Sequence, residues 1–146
     1  MRTVLFWFRR DFRLSDNVGL QRAVESGARV VPVYVLSDWK REHGWTGAKR
    51  QHFLCGCLES LSRNLEAIGS RLVIRSGKAV PELMKLAAEV NAEAVYFNRD
   101  PDPFGKSVEQ QLATACESSS LRCEGHKDAV LHEAEEVLTG TGGPYR

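Results

Sequence analysis

The sequence predicts an α/β fold, a doubly wound five-stranded parallel sheet in the order 3-2-1-4-5. Three observations carry this. Val4 to Phe8 is apolar without alternation, as expected of a strand covered on both faces. Short apolar runs then alternate with stretches of helical period along the whole chain. At 146 residues the chain is one domain's worth, with no internal repeat. A chain of this size buries roughly 68–70% of its unfolded surface and needs no disulfide or metal to fold.

Taken in order, Val4 to Phe8 is the first strand, and Ser15 or Asp16 caps a helix that stops at Gly27. Val30 to Leu36 is the second strand, in which Pro32 removes a ladder donor and so needs the strand's start or an unpaired position. A polar loop holding Trp39, His43 and Trp45 leads to a long helix. In it Phe53, Leu54, Cys57, Leu58, Leu61, Leu65 and Ile68 fall at helical spacing, and Gly69 ends it. Arg71 to Arg75 is a short third strand. Pro81 suits the first turn of the next helix, whose inner face is Leu83, Leu86, Ala87 and Val90, with Asn91 as a left-handed cap. Ala94 to Phe97 is the fourth strand, and Asn98 to Gly105 reads as an acidic, proline-rich loop. Val108, Leu112 and Ala115 stripe a last clear helix before a weaker fifth strand, Leu121 to Glu124. A helical-looking piece spans Glu133 to Leu138, and Thr139 to Pro144 is linker-like.

Composition narrows the function. The formal net charge of +1 argues against strong nucleic-acid binding by this domain alone, since phosphate recognition needs a concentrated basic face. No apolar run approaches the ~20 residues of a membrane span, and the N-terminus lacks a signal-peptide pattern, so a cytoplasmic location is expected. Cys55 and Cys57 share a helix, where positions two apart point ~200° from each other, so they cannot chelate one ion. All four cysteines read as small reduced hydrophobes. His43, His52, His126 and His132 show no ligand spacing and read as surface or helix-flank residues. There is no P-loop and no dinucleotide fingerprint after the first strand. Gly140-Thr141-Gly142-Gly143 is a turn, because no lysine or capped helix follows it.

In the predicted strand order the loops leaving the first and fourth strands face each other across the crevice where such sheets bind ligands. These two loops hold the unusual chemistry: Arg9-Arg10-Asp11-Phe12-Arg13, and Asn98-Arg99-Asp100-Pro101-Asp102-Pro103-Phe104. Fixed carboxylates there can accept hydrogen bonds from a heteroaromatic ring, and arginine or aromatic side chains can stack on its face. The alternative is a purely structural frame in which Arg9, Arg10 and Arg13 pair with Asp11, Asp16 or the loop acids. One arrangement can do both.

The run Trp7-Phe8-Arg9-Arg10-Asp11-Phe12-Arg13-Leu14-Ser15-Asp16-Asn17 closely resembles the opening motif of the DNA photolyase/cryptochrome family, roughly W-F-R-R-D-L-R-L-x-D-N, with Phe12 where the family has leucine. Further matches are Ala48 to Leu54, Gly69 to Leu72, Ala92 to Asn98 and Leu138 to Tyr145, in order and at the family's spacing. The resemblance implies a Rossmann-like N-terminal antenna domain over residues 1–135. Residues 136–146 would begin the linker toward a C-terminal helical domain that holds FAD and binds damaged DNA. It further implies that this polypeptide, as an excised portion or a short gene product, is not catalytic alone. The full-length parent would be a deoxyribodipyrimidine photolyase, splitting cyclobutane pyrimidine dimers by light-driven electron transfer from FAD. A cryptochrome-type photoreceptor domain and a free-standing nucleotide-binding module are the alternatives.

The loop Asn98 to Gly105 looks like the N-x-D-x-E-P-Y-G loop of deazaflavin-binding members, with Asp102 for the glutamate and Phe104 for the tyrosine. The resemblance therefore implies 8-hydroxy-5-deazaflavin as the pigment, with FMN or methenyltetrahydrofolate as alternatives. Folate is disfavoured, because Phe104 and Gly105 stand where folate-binding members have an Asn-Glu pair. Carried over by position, Asp100 and Asp102 would bind polar edges of the ring and Arg50 its polar tail or face. Phe8, Arg9, Val35 and Leu36 would line the pocket.

Overall fold

Strand β1 (Thr3–Phe8) is buried along its whole length and forms the centre of the sheet. The computed structural model describes residues 1–37, 47–128, 130 and 138–143. Helix α1 (Val18–Glu25) follows, then β2 (Arg29–Leu36), α2 (Ala48–Ala67), β3 (Val73–Ser76), α3 (Ala79–Glu89), β4 (Ala92–Asn98), α4 (Pro103–Ser118) and β5 (Arg122–His126). All strand pairs are parallel and the order is β3-β2-β1-β4-β5, as predicted.

The sheet grows from β1 to β3 in one direction and then, from β4, in the other. Constant crossover handedness requires the helices to change face at that reversal. They do. Val4, Phe6, Phe8, Tyr34, Ala94 and Tyr96 pack against Ala23 of α1 and Leu58, Leu61 and Leu65 of α2. Their neighbours in sequence, Leu5, Trp7, Val33, Val35, Val95 and Phe97, pack against Leu83, Leu86 and Ala87 of α3 and Leu112 and Cys116 of α4. This alternation on strands buried on both sides explains why their sequences show no polar period.

Several boundaries differ from the sequence reading for local reasons. Helix α1 is capped by Asn17, whose side chain accepts from the Leu20 amide, and not by Ser15 or Asp16. Asp16 instead takes a left-handed turn, φ 50°. Pro32 is not at the start of β2: it stands opposite Phe6 of β1 and ahead of the first β2–β3 pair, Val33 with Val73, where β2 has a partner on one side only. Strand β3 starts two residues later than expected, because Leu72 is buried before pairing begins. Phe53 and Ile68 share the apolar spacing of α2 yet are 73% and 70% exposed, so the core stripe is only Leu58, Leu61 and Leu65. Asn91 is left-handed at φ 49°, as expected. The 98–105 segment is shorter as a loop than predicted, since Pro103, Phe104 and Gly105 form the first turn of α4. Trp39, His43, Trp45, the 133–137 piece and the proposed boundary at 135/136 lie outside the described residues.

Candidate functional site

The carboxyl ends of β1 and β4 are joined by a buried polar frame. Asn98, the last residue of β4, is 5% exposed and serves three partners. Its Nδ2 donates to a carboxylate oxygen of Asp11 and, at 2.7 Å, to Asn17 Oδ1. Its Oδ1 accepts from the Gly19 amide at 2.9 Å. Asp11 also accepts from the Arg9 amide, 2.9 Å. The turn after β1, the end of β4 and the start of α1 are thus one hydrogen-bonded unit. Only glycine fits at position 19, because a Cβ there would stand 2.6 Å from Asn98 Oδ1 and 3.2 Å from the Phe97 backbone.

On the α4 side, the Arg9 guanidinium is almost fully buried, 4.5 Å from the Trp7 ring centroid and 5.9 Å from that of Phe97. It pairs with Glu109 of α4 and donates to the Gly105 carbonyl at 3.2 Å. Glu109 also accepts from the Asp100 amide, 2.7 Å. Asp100 is 8% exposed and lies 3.3 Å from Arg10 Nε. It accepts from the Asp102 amide at 3.0 Å. Asp102 in turn caps α4 through the Phe104 amide, 2.9 Å, and meets Arg10 at 3.5 Å. A Cβ on Gly105 would sit 2.5 Å from the Asp100 Cβ, so this glycine lets α4 approach the loop. Arg13 pairs with Asp128 and donates to the Asp16 carbonyl at 2.9 Å through Nε. The hydrogen bond to Asp128 holds its pKa above the ordinary arginine value.

The predicted meeting of the two loops is therefore present, and the arginines pair with acids there. The acids are Glu109, Asp100, Asp102 and Asp128, while Asp11 and Asp16 offer Arg9 and Arg13 backbone or amide contacts instead. Glu109, Asn17, Asn98 and Gly105 were not singled out from the sequence. Asn17 carries a signal, as a capping residue type just ahead of a helix. Glu109 carries none, since one acid on a mostly polar helix surface looks solvated.

The remaining predicted residues fall elsewhere. Phe8 is fully buried, its ring edge-on to Phe6 at 4.7 Å. Val35 faces α3 and α4 in the opposite core. Leu36 is half-buried and, like Phe12, Leu14, Leu20 and Leu54, packs against the α1/α2-side core. Phe12 leans on Tyr34, centroids 5.4 Å apart, and burial pushes the Tyr34 phenol up to about 12. Arg50 is exposed in the first turn of α2, its amide bonded to the Gly47 carbonyl at 3.0 Å. Of the predicted set, Arg9, Asp100 and Asp102 form a polar frame, Phe8 and Leu36 belong to the α1/α2-side core, and Val35 and Arg50 join neither group. The polar frame, Phe8 and Leu36 lie at the carboxyl ends of the strands. Two open clefts among the described residues flank β5. One of about 350 Å³ is lined by Arg99, Asp100, Lys106, Glu109 and Cys123 among others. The other, about 470 Å³, lies by Arg2, Arg22, Arg122, Tyr96 and His126. His126 is a half-buried strand residue rather than a surface histidine, with Nε2 buried and unpartnered and its ring stacked on Tyr96 at 6.0 Å. Among the described residues no cluster of ligating side chains could hold a metal.

The family model described as DNA photolyase matches residues 4–146. A deoxyribodipyrimidine photo-lyase of Agrobacterium fabrum is 38% identical over 98% of this chain and 29% of its own length. Its counterpart from Synechococcus is 35% identical over 97% of this chain and 29% of its own length. The crystal structure of a class III photolyase from Agrobacterium tumefaciens superposes with a TM-score of 0.89 at 38% identity, covering 99% of this chain and 30% of that one. An archaeal photolyase from Sulfolobus tokodaii, described with two FAD molecules and a novel light-harvesting cofactor, gives 0.81 at 27% identity, over 94% of this chain and 32% of that one. The chain thus spans about 30% of the length of these relatives.

Proposed function

We propose that this chain, which belongs to the DNA photolyase family, is the part of a photolyase that holds a light-harvesting pigment. The observation that carries the reading is that Leu36, at the carboxyl end of β2, Phe12 and Leu14, after β1, and Leu54 of α2 are half-buried apolar residues on the α1/α2-side core, which we read as an apolar shelf. Open parallel sheets bind ligands at that edge. A flat, largely apolar ring suits such a shelf. Asp100 and Asp102, already engaged by Arg10 and by amides, serve first to hold the β4–α4 loop in place. Their free lone pairs can still meet ring N–H groups, because a carboxylate accepts about four bonds.

When bound, the pigment would absorb near-UV or blue light and pass its energy to an FAD in the helical part of a photolyase. The residues of this chain bind, orient and exclude water. Leu36 and Phe12 would cover a ring face, and Arg50 would reach a polar or anionic tail. The pigment is 8-hydroxy-5-deazaflavin in this reading, with FMN, FAD and methenyltetrahydrofolate as competitors. Repair of pyrimidine dimers, and contact with damaged DNA, would belong to the assembled photolyase with its FAD-binding domain.

The test is reconstitution with each pigment in turn, read by absorbance and fluorescence, on wild type, Leu36→Asp, Arg50→Ala and Asp100→Asn. Removing one apolar wall should weaken binding about tenfold or more, since a buried leucine is worth roughly 1.5–3 kcal/mol. A folded wild-type protein that binds none of the four pigments would remove the proposal.

A further inference from the structure

A second cluster of charge lies along the edge strand. In β5, Cys123 packs into the α3/α4 core, so its neighbours Arg122, Glu124 and His126 stand on the α1 side. There they line the open cleft of about 470 Å³ together with Tyr96, Arg2, and Arg22 and Glu25 of α1. The cations come from three separate segments. Arg2 donates to the Ser26 carbonyl at 2.8 Å and has no carboxylate partner among the described residues. Arg22 meets Glu25 at 3.3 Å and Arg122 meets Glu124 at 3.8 Å, and these four side chains are 40% to 62% exposed. Ion pairs so open hold weakly. His126 adds an independent observation. Its Nε2 is buried without a hydrogen-bond partner, which buried polar atoms seldom lack. Its ring lies nearly parallel to that of Tyr96, at 7° and 6.0 Å.

We propose that this cleft binds a phosphate group, either free or carried as the monoester of a small molecule. Three arginines against two glutamates leave the cleft positive with His126 neutral. A phosphate monoester carries about −1.5 to −2 charge at pH 7 and three strong acceptor oxygens. Planar guanidinium forks match those oxygens in pairs, so phosphate is a better partner for Arg22 and Arg122 than a single exposed carboxylate. Arg2, held in place by the Ser26 carbonyl, supplies the cation that no acid offsets. The cleft volume falls within the ordinary small-molecule range of about 300–1,000 Å³. The last torsion of a histidine side chain is soft. A turn about it brings Nε2 to the cleft, where a phosphate oxygen gives it the partner it lacks. The site uses neither the pigment nor the residues assigned to it.

The experiment titrates the pigment-free chain with inorganic phosphate and, separately, with adenosine monophosphate at constant ionic strength. Backbone amides and the His126 ring are followed by NMR, with adenosine as the control that lacks phosphate. The expected result is a set of saturable shifts at Ser26, Glu124 and His126 that fit a single Kd. Arg22→Gln and Arg122→Gln change exposed side chains outside the core, and each should weaken binding about tenfold, the effect of losing a charged hydrogen bond. Arg63→Gln, on an exposed stretch of α2, should leave Kd unchanged. Equal affinity for the two ligands identifies the free anion as the occupant, and tighter adenosine monophosphate identifies an ester. Either supports the site. An absence of saturable shifts at these residues, an unchanged Kd in Arg22→Gln and Arg122→Gln, or equal binding of adenosine and its monophosphate overturns the proposal.

Discussion

The Asn98 amide shows how one side chain can order three segments. It uses both protons and its oxygen on Asp11, Asn17 and the Gly19 amide, all within the protein. Asn98→Ala leaves a buried carboxylate, a buried amide oxygen and a backbone N–H short of a partner. We expect a loss of about 3 kcal/mol in urea unfolding, several times a surface substitution, because unsatisfied buried groups cost about 1–3 kcal/mol each. Gly105→Ala drives a methyl into Asp100 and should cost about 1–3 kcal/mol by the same measurement. His126 sets a pH dependence. Burial lowers its pKa, helped by Arg22 of α1 and by Arg99 and opposed by Glu124. The unfolded chain therefore takes up the proton first, near pH 6.5. The stability held by neutral His126 is complete above that pH and is lost as pH falls through the lower folded-state value. The stability difference between pH 7.5 and pH 5.5 should be smaller in His126→Phe than in wild type.

Helix α4 carries the clearest lesson about what the sequence disclosed. Asp102-Pro103 reads in the sequence as part of an acidic, proline-rich loop, yet it is a helix start. Asp102 caps, and Pro103 occupies the first helical position, where its missing N–H costs nothing. Asp102→Ala should cost about 1 kcal/mol in urea unfolding, whereas Asp102→Asn should be nearly neutral, since asparagine caps equally well and the exposed Arg10 pair is worth little. The order of elements was legible because each strand is a dense apolar run and each helix has a stripe. Boundaries were less so. Leu72 is apolar and buried but unpaired, and Phe53 and Ile68 keep the helical period on a solvent-facing side. The Arg9–Glu109 bolt between β1 and α4 was not legible, because it depends on α4 crossing the sheet end. Arg9→Met alone should cost about 3 kcal/mol by leaving Glu109 buried without its cation, and Arg9→Met with Glu109→Leu should recover much of that. A double-mutant cycle reads the coupling.

The whole molecule is a sheet closed on both faces, with its two mid-sheet loops locked by Asn98, Arg9 and Glu109, and an apolar shelf left half-covered beside them. The lock keeps the strand ends in register whatever the shelf holds, so pigment binding should stabilise the fold without rearranging it. At a hundredfold excess over Kd, a ligand adds about 2.7 kcal/mol, which for a domain of this size raises Tm by about 5–10 °C. The most direct measurement is equilibrium dialysis of the folded chain against 8-hydroxy-5-deazaflavin, read by absorbance, with wild type beside Leu36→Asp. Wild type should take up the pigment saturably, one to one, and the variant at least tenfold more weakly. A protein that keeps its folded circular dichroism while the pigment stays evenly distributed across the membrane would contradict it.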